Sequence, residues 1–243
     1  MQKVSRRHFF KTAGSAALVG AAIPAPGLVL AATKPEPMEM GHASNSAHGD
    51  MEPAVRGAPY TFFNPIEAAF VEAAIARLIP TDERCPGAYE TDVAIYIDRQ
   101  LSGAWGAGER FYSTGPWLQG ARTQGYQLPF APGEFFRRAL AAVRRHSVQE
   151  GTEFDLRSVD DQDSWLKRLE ANELDLDGIP SRMFFDQLLQ LTVEGFFADP
   201  IYGGNKDMAS WRAIGFPGAY ASYYDEVDRH GVKFVRAPVS IGS

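Results

Sequence analysis

The sequence predicts a mainly α protein, a single irregular helical domain with long ordered loops behind a signal peptide and a flexible linker. Three observations carry that prediction. Apolar residues recur at helical spacing in five separate windows between Pro65 and Phe197. Capping signatures, Asn64-Pro65-Ile66-Glu67 and Ser158 with Asp161, stand in front of two of them. No stretch keeps the strict alternation of a half-buried strand, with Val232 to Val239 as the one exception to weigh.

The first helix is expected from Pro65, with Asn64 as cap, proline at the first helical position and Glu67 reaching back to the cap. Ile66, Phe70, Ala74 and Leu78 form its apolar ladder, Ala73 and Ile79 widen it, and Pro80 stops it. The second is expected from about Glu90 to Leu101, with Val93, Tyr96, Ile97 and Leu101 on one face, Asp92 suiting the helix dipole and Gly103 closing it. Between Ser102 and Pro132 glycines alternate with Trp105, Phe111, Tyr112, Trp117, Tyr126 and Phe130, which predicts short helical turns or long ordered loops. The third helix starts near Pro132, turns Phe135, Phe136, Ala139, Leu140 and Val143 inward, and puts Arg137, Arg138, Arg144 and Arg145 outward. Those arginines read as a solvated face, with a partner-binding face as the alternative. A fourth helix follows the Ser158 cap and buries Trp165, Leu166 and Leu169. Ser181 to Phe197 is apolar on nearly every side and belongs in the centre of the domain. The terminal segment is expected to lie extended on the domain or on a neighbour.

Ahead of this domain, Ser5-Arg6-Arg7-His8-Phe9-Phe10-Lys11 matches the twin-arginine export signal at each specified position. Thr12 to Ile23 is weakly apolar, and Pro24, Pro26 and the small pair Ala31-Ala32 complete a cleavage zone. A bilayer span needs ~20 predominantly apolar residues, so this stretch is too short to be one. Residues 1–31 read as signal peptide, with cleavage after Ala31 or Ala32, residues 32–60 as linker and residues 61–243 as the helical domain. The expected location is the periplasm, reached in the folded state and with a cofactor or folded partner attached. In the linker Met38, Met40, His42, His48 and Met51 offer soft ligands suited to copper, although a solvated tether is the plainer reading.

Composition excludes several functions. A net charge of −6 without a long basic block argues against nucleic acid. The single Cys85 rules out an internal disulfide, an iron–sulfur cluster and c-type haem in this chain. Cys85 is left as a buried or tolerated thiol or as half of an intersubunit disulfide. No G-x-S-x-G, H-E-x-x-H, P-loop or strand-led G-x-G-x-x-G is present, and Gly103-Ala104-Trp105-Gly106-Ala107-Gly108 has the wrong spacing for a dinucleotide site. His146 and His230, alone after the linker, read as surface or helix-end histidines. No catalytic or metal-binding residue is assigned.

The most constrained segment follows the central helix: Asp199-Pro200-Ile201-Tyr202-Gly203-Gly204-Asn205-Lys206-Asp207, then Trp211 and Gly215-Phe216-Pro217-Gly218. Pro200 fixes one dihedral, the paired glycines permit positive φ, and Asn205 or Asp207 can cap the short helix that carries Trp211. Together with the twin-arginine signal, Asn64-Pro65, Ile79-Pro80 and Pro86-Gly87-Ala88, this segment resembles the gluconate 2-dehydrogenase subunit 3 family, over nearly the whole mature chain. That family comprises the small, or gamma, subunits of periplasmic dehydrogenases for sugars and sugar acids. Their large subunit carries FAD and their third subunit is a multihaem cytochrome c. The resemblance implies a chain without chemistry or cofactor of its own, which binds the flavoprotein, steadies it and takes it through the twin-arginine translocase. It places partner contacts at Asp199, Pro200, Tyr202, Gly203, Gly204, Asn205 and Trp211, and in the aromatic stretch from Trp105 to Trp117. Two other readings stay open: a free-standing enzyme using Glu194, Asp199, Tyr202, Asn205 and Asp207, and a copper-handling protein using the linker.

Overall fold

The computed structural model describes residues 60–242, apart from 110, 113, 119, 122–126 and 221–222. The expectations for the export signal, the linker with its Met and His residues, and Tyr126 lie outside the described residues. The described chain is mainly helical, as expected: α1 (Pro65–Leu78), α2 (Val93–Ser102), α3 (Pro132–Gln149), α4 (Val159–Glu170), α5 (Ser181–Phe197) and α6 (Ala209–Ile214), with short 3-10 turns between them.

The predicted capping box opens α1. Asn64 Oδ1 accepts from the amides of Ile66 and Glu67, each at 3.0 Å, and the Glu67 carboxylate accepts from the Asn64 amide at 3.0 Å. The buried face is Ala68, Phe70, Val71, Ala74 and Ile75, whereas Ile66 is 44% exposed. The correction has a simple geometric cause. Steps of four overshoot a 3.6-residue turn by about 40°, so the ladder fans around the helix: Phe70 and Ala74 sit in the core, Leu78, Ala73 and Ile79 pack against it, and Ile66 turns outward. Helix α2 starts at Val93, later than Glu90. Thr91, Asp92 and Val93 donate their amides to Gly87, Tyr89 and Ala88 in tight turns, and Asp92 sits at φ 59°, which no helix interior adopts.

The inward face of α3 is the predicted one: Phe135, Phe136, Ala139, Leu140 and Val143 are all buried. Its arginines are paired: Arg138 with Glu134, Arg144 with Glu153 and Arg145 with Asp177. Arg137 departs from the outward expectation. Its guanidinium lies 3.9 Å from the centroid of the Phe62 ring and bonds the Phe62 carbonyl and Glu67. Between α2 and α3 the chain makes turns over Gly103–Gly108, and among the described residues beyond them Tyr112 and Leu118 are exposed.

Helix α5 occupies the centre, packed against α1, α2, α3 and α4. Phe184 on α5 meets Phe136 at 5.5 Å between ring centroids, and Phe70 and Trp165 flank Phe154 at 4.8 and 5.6 Å. A two-residue antiparallel hairpin, β1 (Asp175–Leu176) with β2 (Ile179–Pro180), precedes α5. It is too short to show alternation, but its turn, Asp177-Gly178 with φ 56° and 83°, carries the usual sequence mark of such hairpins. The strand weighed for Val232 to Val239 does not form. Residues 232–238 take no regular secondary structure, and Val239 bridges to Gly218.

Candidate interaction surface

After α5 the chain reverses through Asp199–Met208. Asp199 caps the 3-10 turn Pro200–Tyr202, accepting from the Ile201 amide at 3.1 Å. Gly203 and Gly204 take φ of 105° and 43°, and a side chain on Gly204 would begin 2.2 Å from the Gly195 carbonyl oxygen. The loop therefore presses directly on the α5 backbone. Asn205, Asp207 and Met208 also take left-handed φ. Asn and Asp tolerate this region, whereas Met208 holds it at a cost of about 1 kcal/mol.

Three sets of bonds hold that conformation. Asn205 is fully buried; its amide donates to the Ala198 carbonyl at 2.9 Å, and its oxygen accepts from the Ser210 amide and hydroxyl at 3.0 and 2.7 Å. Lys206 donates its amide to the Thr91 carbonyl at 3.2 Å and pairs with Asp92 at 3.0 Å, tying the loop to the approach of α2. Trp211 donates its indole N–H to the Phe197 carbonyl at 2.9 Å, closing α6 against the end of α5.

The Asp199 carboxylate reaches further. It accepts from the Ser240 hydroxyl at 2.6 Å and the Ile241 amide at 2.8 Å, more than forty residues along the chain. The chain from Ala219 onward forms a C-terminal arm. Val239 donates its amide to Pro217 and accepts from Ala219, and Tyr220 donates its hydroxyl to Ala237 at 2.8 Å. The Tyr220, Tyr223 and Phe234 rings pack together at 5.4 to 6.1 Å, and Arg236 pairs with Glu226.

The residues expected to meet a partner thus divide. Asp199, Gly203, Gly204, Asn205 and Trp211 are buried, and the polar side chains among them bond to this chain's own backbone and hydroxyls; Pro200 and Tyr202 are half-buried. What faces outward at this corner is apolar: Val193 and Phe197 on α5, each 42% exposed, Ile214 at 63% and Phe216 at 44%. Sequence reading placed Val193 and Phe197 in the core, because a helix apolar all round gives no sign of which residues stay uncovered. Cys85 is half-buried, and burial, with Asp82 beside it, pushes its thiol pKa up.

Of the carboxylate set weighed for catalysis, Glu194 accepts from Gln190 at 2.8 Å and lies 3.5 Å from the Tyr96 hydroxyl, and Asp207 is exposed. Asp199 and Asn205 are engaged by the bonds described above, and Tyr202 is half-buried. Burial, with Glu194 adjacent, pushes the Tyr96 phenol up to about 12. His146 bonds the Asp175 carbonyl at 2.6 Å, and His230 is exposed. Among the described residues no cluster of three or more His, Cys, Asp or Glu is placed to hold a metal ion, and no helix is long and apolar enough to cross a membrane.

The gluconate 2-dehydrogenase subunit 3 family matches residues 65–218, from the first turn of α1 to the bridge that opens the arm. The chain belongs to that family. Cys85 and the Asp199 to Trp211 segment fall inside the matched region, and the arm from Ala219 onward falls outside it. No curated protein and no solved structure matches the chain. As its family name states, this is a subunit of a dehydrogenase complex, an accessory to the assembly.

Proposed function

We propose that this chain is the non-catalytic small subunit of a periplasmic flavin-dependent dehydrogenase acting on gluconate, glucose, fructose or a related polyol. It binds and steadies an FAD-bearing large subunit and, through Arg6 and Arg7, carries that subunit across the inner membrane by the twin-arginine route. A multihaem cytochrome c completes the complex as electron acceptor. Family membership over residues 65–218 is the observation that carries this reading. The disposition of the polar groups supports it: the buried carboxylates Asp98 and Asp199 accept from the chain's own backbone, which suits a scaffold.

Co-expression with a candidate FAD-bearing large subunit tests the reading. The expected result is a co-purifying flavoprotein in the periplasm, retained in the cytoplasm when Arg6 and Arg7 are both replaced by lysine. Normal export of the flavoprotein without this chain sinks the escort role, and substrate oxidation by the isolated chain sinks the non-catalytic role.

A further inference from the structure

We propose that the corner after α5 is a peptide-binding seat, filled by this chain's own segment Val239–Gly242 as a detachable strap. The inference goes beyond the subunit reading and does not depend on it. Asp199, Pro217 and Gly218 of the seat belong to the region that the family matches, and the occupant lies beyond it. Two elements build the seat. One is a short backbone edge, where the Pro217 carbonyl accepts from the Val239 amide at 3.1 Å and the Ala219 amide donates to the Val239 carbonyl at 2.8 Å, in a parallel bridge at Gly218. The other is the Asp199 carboxylate, 7% exposed, whose two oxygens separately take the Ser240 hydroxyl and the Ile241 amide. Peptides that add to an exposed backbone edge are held in this way, by main-chain bonds for affinity and a side-chain contact for selection. An occupant therefore needs free backbone groups at the bridged position and a hydroxyl residue directly after it.

The occupant can leave because core packing does not hold it. Among the described residues no side chain after Gly218 is buried. The arm is instead organised within itself, with Tyr220 bonded to Ala237 and Arg236 paired with Glu226. Its far end is tied to the domain at Asp199 and Pro217. Tethering favours return, since a segment joined by a short chain meets its seat at an effective concentration on the order of millimolar. Opening takes two donors from the Asp199 carboxylate and leaves it the Ile201 amide at 3.1 Å, a shortfall that a competing segment of the same chemistry repairs.

The test titrates the isotope-labelled full chain with a synthetic peptide of residues 236–242, up to millimolar concentration. Binding is read from the NMR shifts of the Ile201 and Ala219 amides, and thermal melts confirm that the helical domain stays folded. Two variants loosen the strap and differ in what they do to the seat. Ser240→Ala weakens the occupant and keeps the seat, so the peptide should bind about tenfold more tightly than to the unaltered chain. Asp199→Asn spoils the seat itself, so the peptide should bind at least about tenfold more weakly than to Ser240→Ala. Equal binding by the two variants, or none by Ser240→Ala, overturns the seat. If limited proteolysis of Ser240→Ala cuts the arm only where the helical core unfolds, the strap does not detach and the inference fails.

Discussion

The chain enters and leaves its domain by the same chemical device, and the two ends differ in what stands behind it. At the start, Asp98 on α2, only 3% exposed, accepts from the amides of Thr61 at 2.8 Å and of Phe62 and Phe63 at 2.9 Å. At the end, Asp199 receives Ser240 and Ile241. A carboxylate suits both places because it offers several acceptor sites to donors that would otherwise be stranded. The incoming segment is also packed: Phe63 is buried, Phe62 lies under Arg137, and the Tyr60 hydroxyl bonds Glu72. The outgoing segment leaves Ile241 65% exposed. The difference teaches that carboxylate hydrogen bonding yields a core anchor where apolar packing reinforces it and a latch where it does not.

The comparison breaks first, and hardest, at Asp98. Asp98→Asn keeps one acceptor oxygen and aims an amide at a backbone donor, so we expect a loss of about 3 kcal/mol. Urea denaturation measures it, and a change below about 1 kcal/mol would show that packing alone holds the incoming segment. Asp199→Asn makes the same exchange at the latch, with an expected loss of about 1.5 kcal/mol because the released residues are largely exposed. Its sharper signature is local. Limited proteolysis should cut between Ala219 and Val239 before the helical core opens, whereas Asp98→Asn should expose both regions together.

Neither anchor was legible in the sequence, and the reason is physical. A carboxylate that serves amides 35 to 42 residues away leaves no spacing or composition signal, because its partners are backbone groups that every residue carries. The same blindness covers Arg137, read as an outward charge and found over Phe62. Helix α5 was legible from Ser181 to Phe197, since apolar residues on every side suit only a central helix. The capping box at Asn64 was legible too, being a local exchange between residues three apart. Of the Asp199–Met208 loop, the sequence disclosed its constraint, through Pro200, Gly203 and Gly204. The outward faces of Val193 and Phe197 stayed hidden, because exposure depends on which neighbours a fold leaves out.

A smaller disturbance separates the arm from its latch. Gly218 has φ 79°, and a side chain there would begin 2.2 Å from the Val239 carbonyl oxygen. Gly218→Ala should break the bridge to Val239 with a loss of about 1 kcal/mol, and should raise cleavage within the arm even though Asp199 still holds Ser240. An unchanged cleavage pattern would mean that the latch suffices without the bridge. Asp199 would then carry the arm by itself.

The finest comparison is between two phenols. Tyr60 stands at the incoming anchor, and burial, then its bond to Glu72, raises its pKa beyond the usual tyrosine range. Tyr96 stands under the outgoing corner, its ring against Gly195 and its backbone against Gly203, and its pKa rises from the ordinary 10.0 to about 12. A group with a raised folded pKa keeps its proton longer in the folded state than in the unfolded one. Its contribution is therefore complete below pH 10 and is lost as pH climbs toward 12 for Tyr96, and higher for Tyr60. Discounted for solvent screening, Tyr96 should supply about 0.5 kcal/mol of this alkaline loss per pH unit. Tyr96→Phe should flatten the decline of melting temperature between pH 10 and 12. Tyr60→Phe should flatten it further, because its phenolate would face both Glu72 and Asp98. If both variants decline as the unaltered chain does, neither phenol couples to its anchor, and base loosens the two ends alike.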